Sequence, residues 1–261
     1  MIAAPFEVRR VASLEEAVRA LEEAGDEGKL LAGGQSLIPL MKLRLASPEV
    51  LVDLGRVEGL SYIREDGDQI AIGALTRHAE LTRSDVLRRR CAVLAEAAGE
   101  VGDPQVRNLG TIGGSLAHAD PHGDLPAVAV ALDAELVAVG PGGTRTISAE
   151  QFFQGYLATA LEAAEVLTEV RVPAVDQSAY VKFNRRAQDW ALVGCAAVVR
   201  NGDERVAWTG VGAAPVSAHG DWRVAAEQLE PSGDLSGSPE YKRHLAAVLA
   251  ERALAKARGN H

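Results

Sequence analysis

An α+β fold in three successive units is what this chain predicts, and three observations carry it. The chain opens with a strand, glycine turn, helix and strand in close succession. A middle stretch mixes short strands with short helices. The end reads as strands joined by a tight hairpin signal and closed by one long helix. The seams between these textures fall near residues 57 and 175, giving units of 1–57, 58–175 and 176–261. With 261 residues and 47% hydrophobic composition, the chain can bury a sizeable core in each.

In the first unit, Leu14, Ala17, Val18 and Leu21 share one helical face. Ser13 and Glu16 have capping-box spacing, and Gly25 is a natural stop. Lys29 to Ala32 reads as a short buried strand, Leu37 to Leu45 as a helix ended by Ser47-Pro48, and Val50 to Leu54 as the next strand, a small βαβ unit. The second unit predicts a strand at Gln69–Gly73 and helices at 77–81 and 86–100. A long stretch from Gly102 to Asp124 has few periodic signals and reads as a functional loop. A helix at Leu125–Leu132 with Pro126 in its first turn follows, then strands at 135–139, 144–147 and 165–172. The third unit predicts a three-stranded antiparallel sheet from 179–184, 192–200 and 205–211, with Asn201-Gly202 as the hairpin turn, and a closing helix from Pro239 to Ala257.

Composition excludes several function classes. A net charge of -9 lacks the basic face of a sequence-independent nucleic-acid binder. Two cysteines, Cys91 and Cys195, are too few for an iron–sulfur cluster, and no Cys/His spacing fits zinc. No run reaches the ~18 apolar residues of a membrane helix, and the N-terminal residues show no signal peptide, so a cytoplasmic location and no transmembrane segment are expected.

Two glycine segments carry the chemistry. The first, Ala32-Gly33-Gly34-Gln35-Ser36-Leu37, lies between a strand and a helix start. There backbone N–H groups and the Ser36 hydroxyl can hold a phosphate or pyrophosphate. A tight turn without ligand is the alternative, and neither the G-x-G-x-x-G fingerprint nor a Walker lysine is present. The second, Thr111-Ile112-Gly113-Gly114-Ser115, adds two more hydroxyls and is followed by Asp120 and Asp124. Two such segments suggest a clamp on a long diphosphate, with the carboxylates meeting sugar hydroxyls or backbone N–H groups. His118 and His122 are four apart, but Pro121 interrupts them and no third ligand is evident, so no metal site is expected.

These residues resemble the FAD-binding medium subunits of carbon monoxide dehydrogenase and related molybdenum hydroxylases, including the flavin domain of xanthine dehydrogenase. The likeness spans nearly the whole chain. It is densest at Leu31–Leu45, Val52-Asp53-Leu54, Gly102–Asn108, Gly110–Ser115, Ala119-Asp120-Pro121, Asp124-Leu125-Pro126, Asp189-Trp190-Ala191 and the closing helix from Tyr241. The resemblance implies two FAD-binding subdomains of the vanillyl-alcohol-oxidase (PCMH) type and a C-terminal α+β domain. It implies that residues 32–36 and 111–115 wrap the FAD pyrophosphate, that Asp124 holds the cofactor, that Leu167 meets the flavin ring through its backbone, and that Lys182 lies near the ring edge. Without the resemblance, Lys182 reads equally as an exposed strand lysine, and Trp190 packs either near the flavin or in the core.

A subunit of this kind has no catalytic acid or base of its own. Its implied partners are an iron–sulfur small subunit and a molybdopterin large subunit, and its implied acceptor is NAD or a quinone. The competing reading is a stand-alone FAD-dependent oxidase or dehydrogenase acting on a small molecule.

Overall fold

A computed structural model describes residues 2–259. Ser13 starts the first helix as expected: its Oγ accepts the N–H of Glu16 at 3.2 Å. Glu16 reaches back to the N–H of Ala12, one residue before the cap. This helix, α1 (Leu14–Ala24), ends at Gly25 with φ 55 and buries Ala17, Val18, Ala20 and Leu21. It packs on a three-stranded parallel sheet of β1 (Glu7–Arg10), β2 (Gly28–Leu31) and β3 (Val50–Asp53), in the order β1-β3-β2; α2 (Leu37–Leu43) links β2 to β3. The strand β1 lies outside the sequence expectation. Glu-Val-Arg-Arg leaves three of four residues exposed, so it has no apolar run.

The second sheet is antiparallel. It contains β4 (Ile63–Asp66), β5 (Gln69–Gly73), β6 (Glu135–Gly140), β7 (Gly143–Ser148) and β10 (Val166–Pro173), in the order β4-β5-β10-β6-β7. Between β5 and β6 run six helices: α3 (His78–Arg83), α4 (Asp85–Arg90), α5 (Ala92–Glu100), α6 (Pro104–Leu109), α7 (Ile112–His118) and α8 (Asp124–Ala131). After β7 come the one-turn α9 (Ala149–Phe152) and a short ribbon of β8 (Phe153–Gly155) and β9 (Ala158–Thr159). Two expectations are corrected here. The helix expected over 86–100 breaks at Cys91, whose φ of -162 leaves the helical region. The expected loop from Gly102 to Asp124 is mostly α6 and α7. Asp103 caps α6 from ahead of Pro104, and Thr111 caps α7. Helices of six and seven residues are too short to show a 3.6-residue period.

The third sheet has four antiparallel strands, not three: β11 (Gln177–Phe183), β12 (Val193–Arg200), β13 (Asp203–Thr209) and β14 (Val216–His219), in that order. The missed strand is four residues long and sits at an edge, with only Ala218 buried, so its pattern carries no signal. Asn201 and Gly202 take φ of 53 and 86, the left-handed pair that a two-residue hairpin demands. A short helix, α10 (Trp222–Glu227), precedes α11 (Pro239–Ala257), which begins and ends where the sequence places it.

The third sheet is fastened to the helices before it. Along β11, alternate residues face α5. Ser178 Oγ accepts the N–H of Val93 at 3.3 Å, the Tyr180 N–H donates to Glu96 at 2.9 Å, and Lys182 Nζ donates to the Glu100 carbonyl at 3.0 Å. A strand period of two thus meets helical steps of three and four. Tyr180, Ala196, Val198 and Ala207 share one apolar cluster with Ile70, Leu125 and Leu136, so a single core crosses residue 175.

Candidate flavin site

The first glycine segment leaves β2 and turns at Gly34, where φ is 70. Gly33 lies against the second segment's approach. A side chain there would overlap the Leu109 carbonyl oxygen and come within 2.7 Å of Gly110 Cα. Gln35 Nε2 donates to the Gly33 carbonyl at 3.1 Å and pins the turn. Ser36 precedes α2 in a helical conformation, and its hydroxyl makes no capping bond. Among the described residues, the N–H groups of Gly34, Gln35, Ser36 and Leu37 have no acceptor, although all four residues are half-buried. Four consecutive donors without an acceptor at a turn are the kind of backbone group an anion can use.

The second segment is a helix start whose donors are already used. Ile112 N donates to Thr76 O at 3.0 Å, Gly113 N to Ala74 O at 2.8 Å, and Gly114 N to Thr111 Oγ1 at 3.1 Å. Gly113 is a glycine because Ala74 abuts it: an added Cβ would lie 2.5 Å from Ala74 Cβ. Gly114 differs. Its missing side chain points at Thr111 Oγ1 and, 3.8 Å away, at Ala32 Cβ, across the gap between the segments. Gly114, Ser115 and His118 are half-buried on one face of α7, while Ile112, Gly113 and Leu116 are buried on the other. Beneath Gly110 lies the His78 ring, buried, with Nδ1 unpartnered among the described residues. Burial first, and then Arg107, push its pKa down to about 4. Nothing in the sequence signalled it.

Asp120 pins its own turn: Oδ1 accepts the His122 N–H at 2.9 Å. Burial holds the nearby His118 imidazole below its ordinary pKa, against the pull of Asp120. Asp124 opens α8 and is 4% exposed; Tyr180 donates to Oδ1 at 2.6 Å and Lys182 to Oδ2 at 3.1 Å. Burial raises the Asp124 pKa, while Lys182 and Tyr180 oppose the rise. Lys182 is therefore not an exposed strand lysine, since its side chain is 2% exposed. Leu167 is buried on β10 beside a register shift. The adjacent Thr168 carbonyl accepts the N–H of Ala74, the residue that Gly113 packs against. Trp190 is 54% exposed and so not a core residue. It lines a cleft of about 310 Å³ together with Asp120, His122, Tyr156 and Arg185. The structure thus joins Ala32 and Gly33 to Leu109, Gly110 and Gly114, and joins Asp124 to Lys182. Among the described residues no group of His, Cys, Asp or Glu could hold a metal ion.

The family model for the FAD binding domain in molybdopterin dehydrogenase matches residues 4–175. The chain belongs to this family. It is 42% identical over 279 aligned positions to the carbon monoxide dehydrogenase medium chain of Hydrogenophaga pseudoflava, covering 97% of each. The solved carbon monoxide dehydrogenase of that organism superimposes with a TM-score of 0.94 at 41% identity, over 100% of this chain and 99% of the other. Quinoline 2-oxidoreductase from Pseudomonas putida 86 gives a TM-score of 0.90 at 32% identity, over 100% and 99%. Family membership makes FAD the cofactor and oxidoreduction the reaction class. The mixed α/β architecture is the family's as well. Among the described residues no helix is long and apolar enough to cross a membrane.

Proposed function

We propose that this chain is the FAD-carrying subunit of a molybdenum hydroxylase complex, working beside an iron–sulfur small subunit and a molybdopterin large subunit in the cytoplasm. The observation that carries the reading is the row of four N–H groups at residues 34–37 without an acceptor among the described residues, in a segment whose Ala32 and Gly33 pack against Gly114 and against Leu109 and Gly110. Those donors, with the Ser36 and Ser115 hydroxyls, hold the FAD pyrophosphate. Ala32 and Gly33 set the turn, Leu37 opens α2, and Thr111, Ile112, Gly113 and Gly114 form the opposing wall. Asp124 holds a cofactor hydroxyl, Asp120 fixes the turn beside it, and the Leu167 backbone and Lys182 meet the ring. When bound, FAD would supply the redox chemistry between the partner's clusters and an external acceptor, NAD or a quinone. The ammonium of Lys182 is suited to favour negative charge on a reduced ring. Residues 1–57 and 58–175 act as the two FAD-binding subdomains of the vanillyl-alcohol-oxidase type, and 176–261 as the C-terminal domain.

The test is purification with and without partners. The chain alone should carry one non-covalent FAD, released by acid, and should not oxidise aldehydes, purines or carbon monoxide. Adding both partners should restore substrate-driven bleaching of the flavin. Turnover by the single chain at enzyme-like rates, roughly 1–10³ per second, would overturn the reading and favour a stand-alone flavoenzyme.

A further inference from the structure

We propose that Tyr180 is a positioning residue for the flavin site, acting through Asp124, and that Gly194 exists to admit its hydroxyl. The proposal rests on the reading that Asp124 meets the cofactor. Tyr180 is 4% exposed, and a buried phenol needs a partner. Its partner is Asp124 Oδ1, at 2.6 Å. Lys182, two residues further along β11, takes Oδ2 at 3.1 Å and is itself steadied by the Glu100 carbonyl. One strand face thus fixes both oxygens of the carboxylate, and with them its plane. Each oxygen keeps a free lone pair, so a further donor can approach only along directions that this arrangement sets.

Gly194 lies opposite Lys182 in the register of β11 and β12. A side chain there would run into the Tyr180 hydroxyl oxygen and lie 2.8 Å from Thr209 Cγ2. Only glycine at 194 leaves room for the phenol to reach Asp124. The titratable groups acting on the carboxylate are Lys182 and Tyr180 from β11 and Glu100 from α5. Cys195, opposite Val181 in the register of β11 and β12, is held as a neutral thiol by burial and adds no charge. Burial favours the protonated acid; Lys182 and Tyr180 favour the carboxylate that accepts from a cofactor hydroxyl. Removing the phenol hydroxyl therefore raises the pH at which the carboxylate is lost.

The experiment titrates the full-length apo chain with FAD, following quenching of flavin fluorescence, between about pH 5 and pH 8. Tyr180→Phe should weaken binding about tenfold at neutral pH and move the acid limb of affinity upward. Gly194→Ala should reproduce both effects. In an Asp124→Asn background, Tyr180→Phe should have no further effect. A merely structural tyrosine would lower the melting temperature and leave the acid limb in place, and that result overturns the proposal. So does weakened binding in Asp124→Asn with native binding in Tyr180→Phe. If Asp124→Asn itself binds FAD like the native chain, the underlying reading of Asp124 fails instead.

Discussion

The two glycine segments are built from nearly the same residue types and are held in opposite ways. At 111–115 every early N–H of the helix is satisfied by Thr76, Ala74 or Thr111, and Gly113 is locked against Ala74. At 32–37 the backbone donors of four residues are unpaired, and the turn is held from outside, by contact with Leu109 and Gly110. A pair of glycines beside a hydroxyl therefore says that backbone comes close to something. Whether that is a ligand or another part of the chain depends on where the N–H groups go. Here the first segment offers donors, and the second is a rigid surface packed against Ala32 and Gly33.

The largest effect that would break this comparison is expected from Gly33→Val. Its side chain would overlap backbone atoms of Leu109 and Gly110, which cannot yield as a side chain can. We expect a stability loss of about 1–3 kcal/mol or more with flavin content lost too, measured by thermal melting and by FAD released on acid treatment. A normal melting temperature would mean the segments are not in contact. Gly114→Val should separate the two properties. An added Cβ would lie 2.9 Å from Thr111 Oγ1, the cap of α7, and touch Ala32 Cβ at 3.8 Å, so the chain should fold at a cost of about 1 kcal/mol, that of the disturbed cap. FAD affinity should fall at least about tenfold in a fluorescence titration, and native affinity would remove this wall from the site. The finest test compares two hydroxyls. Thr111→Ala deletes a helix cap and should cost about 1 kcal/mol of folding stability. Ser36→Ala deletes no capping bond and should stay within about 0.5 kcal/mol, its effect showing in FAD affinity instead. Equal stability losses in denaturant melts would erase the distinction.

What the sequence made legible were features with local causes. The ends of α11 follow from Ser238 as cap and Pro239 at the first helical position, and the β12–β13 turn follows from Asn201-Gly202. Both glycine segments stood out by composition alone. Their different use of N–H groups did not, because it depends on Ala74, Thr76 and Leu109, residues outside the segments. Asp124 stood out as a carboxylate after the second segment, and Lys182 entered through resemblance alone. Their contact spans 58 positions, and the Tyr180 contact spans 56. No window of periodicity reaches that far, so Tyr180 and Gly194 had no signal of their own. Trp190 could be narrowed only to flavin neighbour or core residue, since an isolated tryptophan has no burial pattern.

The stitching of β11 to α5 bears on the autonomy of the FAD module. The family match stops at residue 175, and β11 begins at Gln177. A chain cut at that boundary would keep both glycine segments. It would also leave the Asp124 carboxylate and the Val93 N–H without the partners that now cover them, on a surface stripped of Tyr180 and its apolar neighbours. A chain ending at residue 175 is therefore expected to be less stable than the intact one, as comparison of their melting curves would show. Heating the intact chain should melt its parts together, in a single cooperative transition.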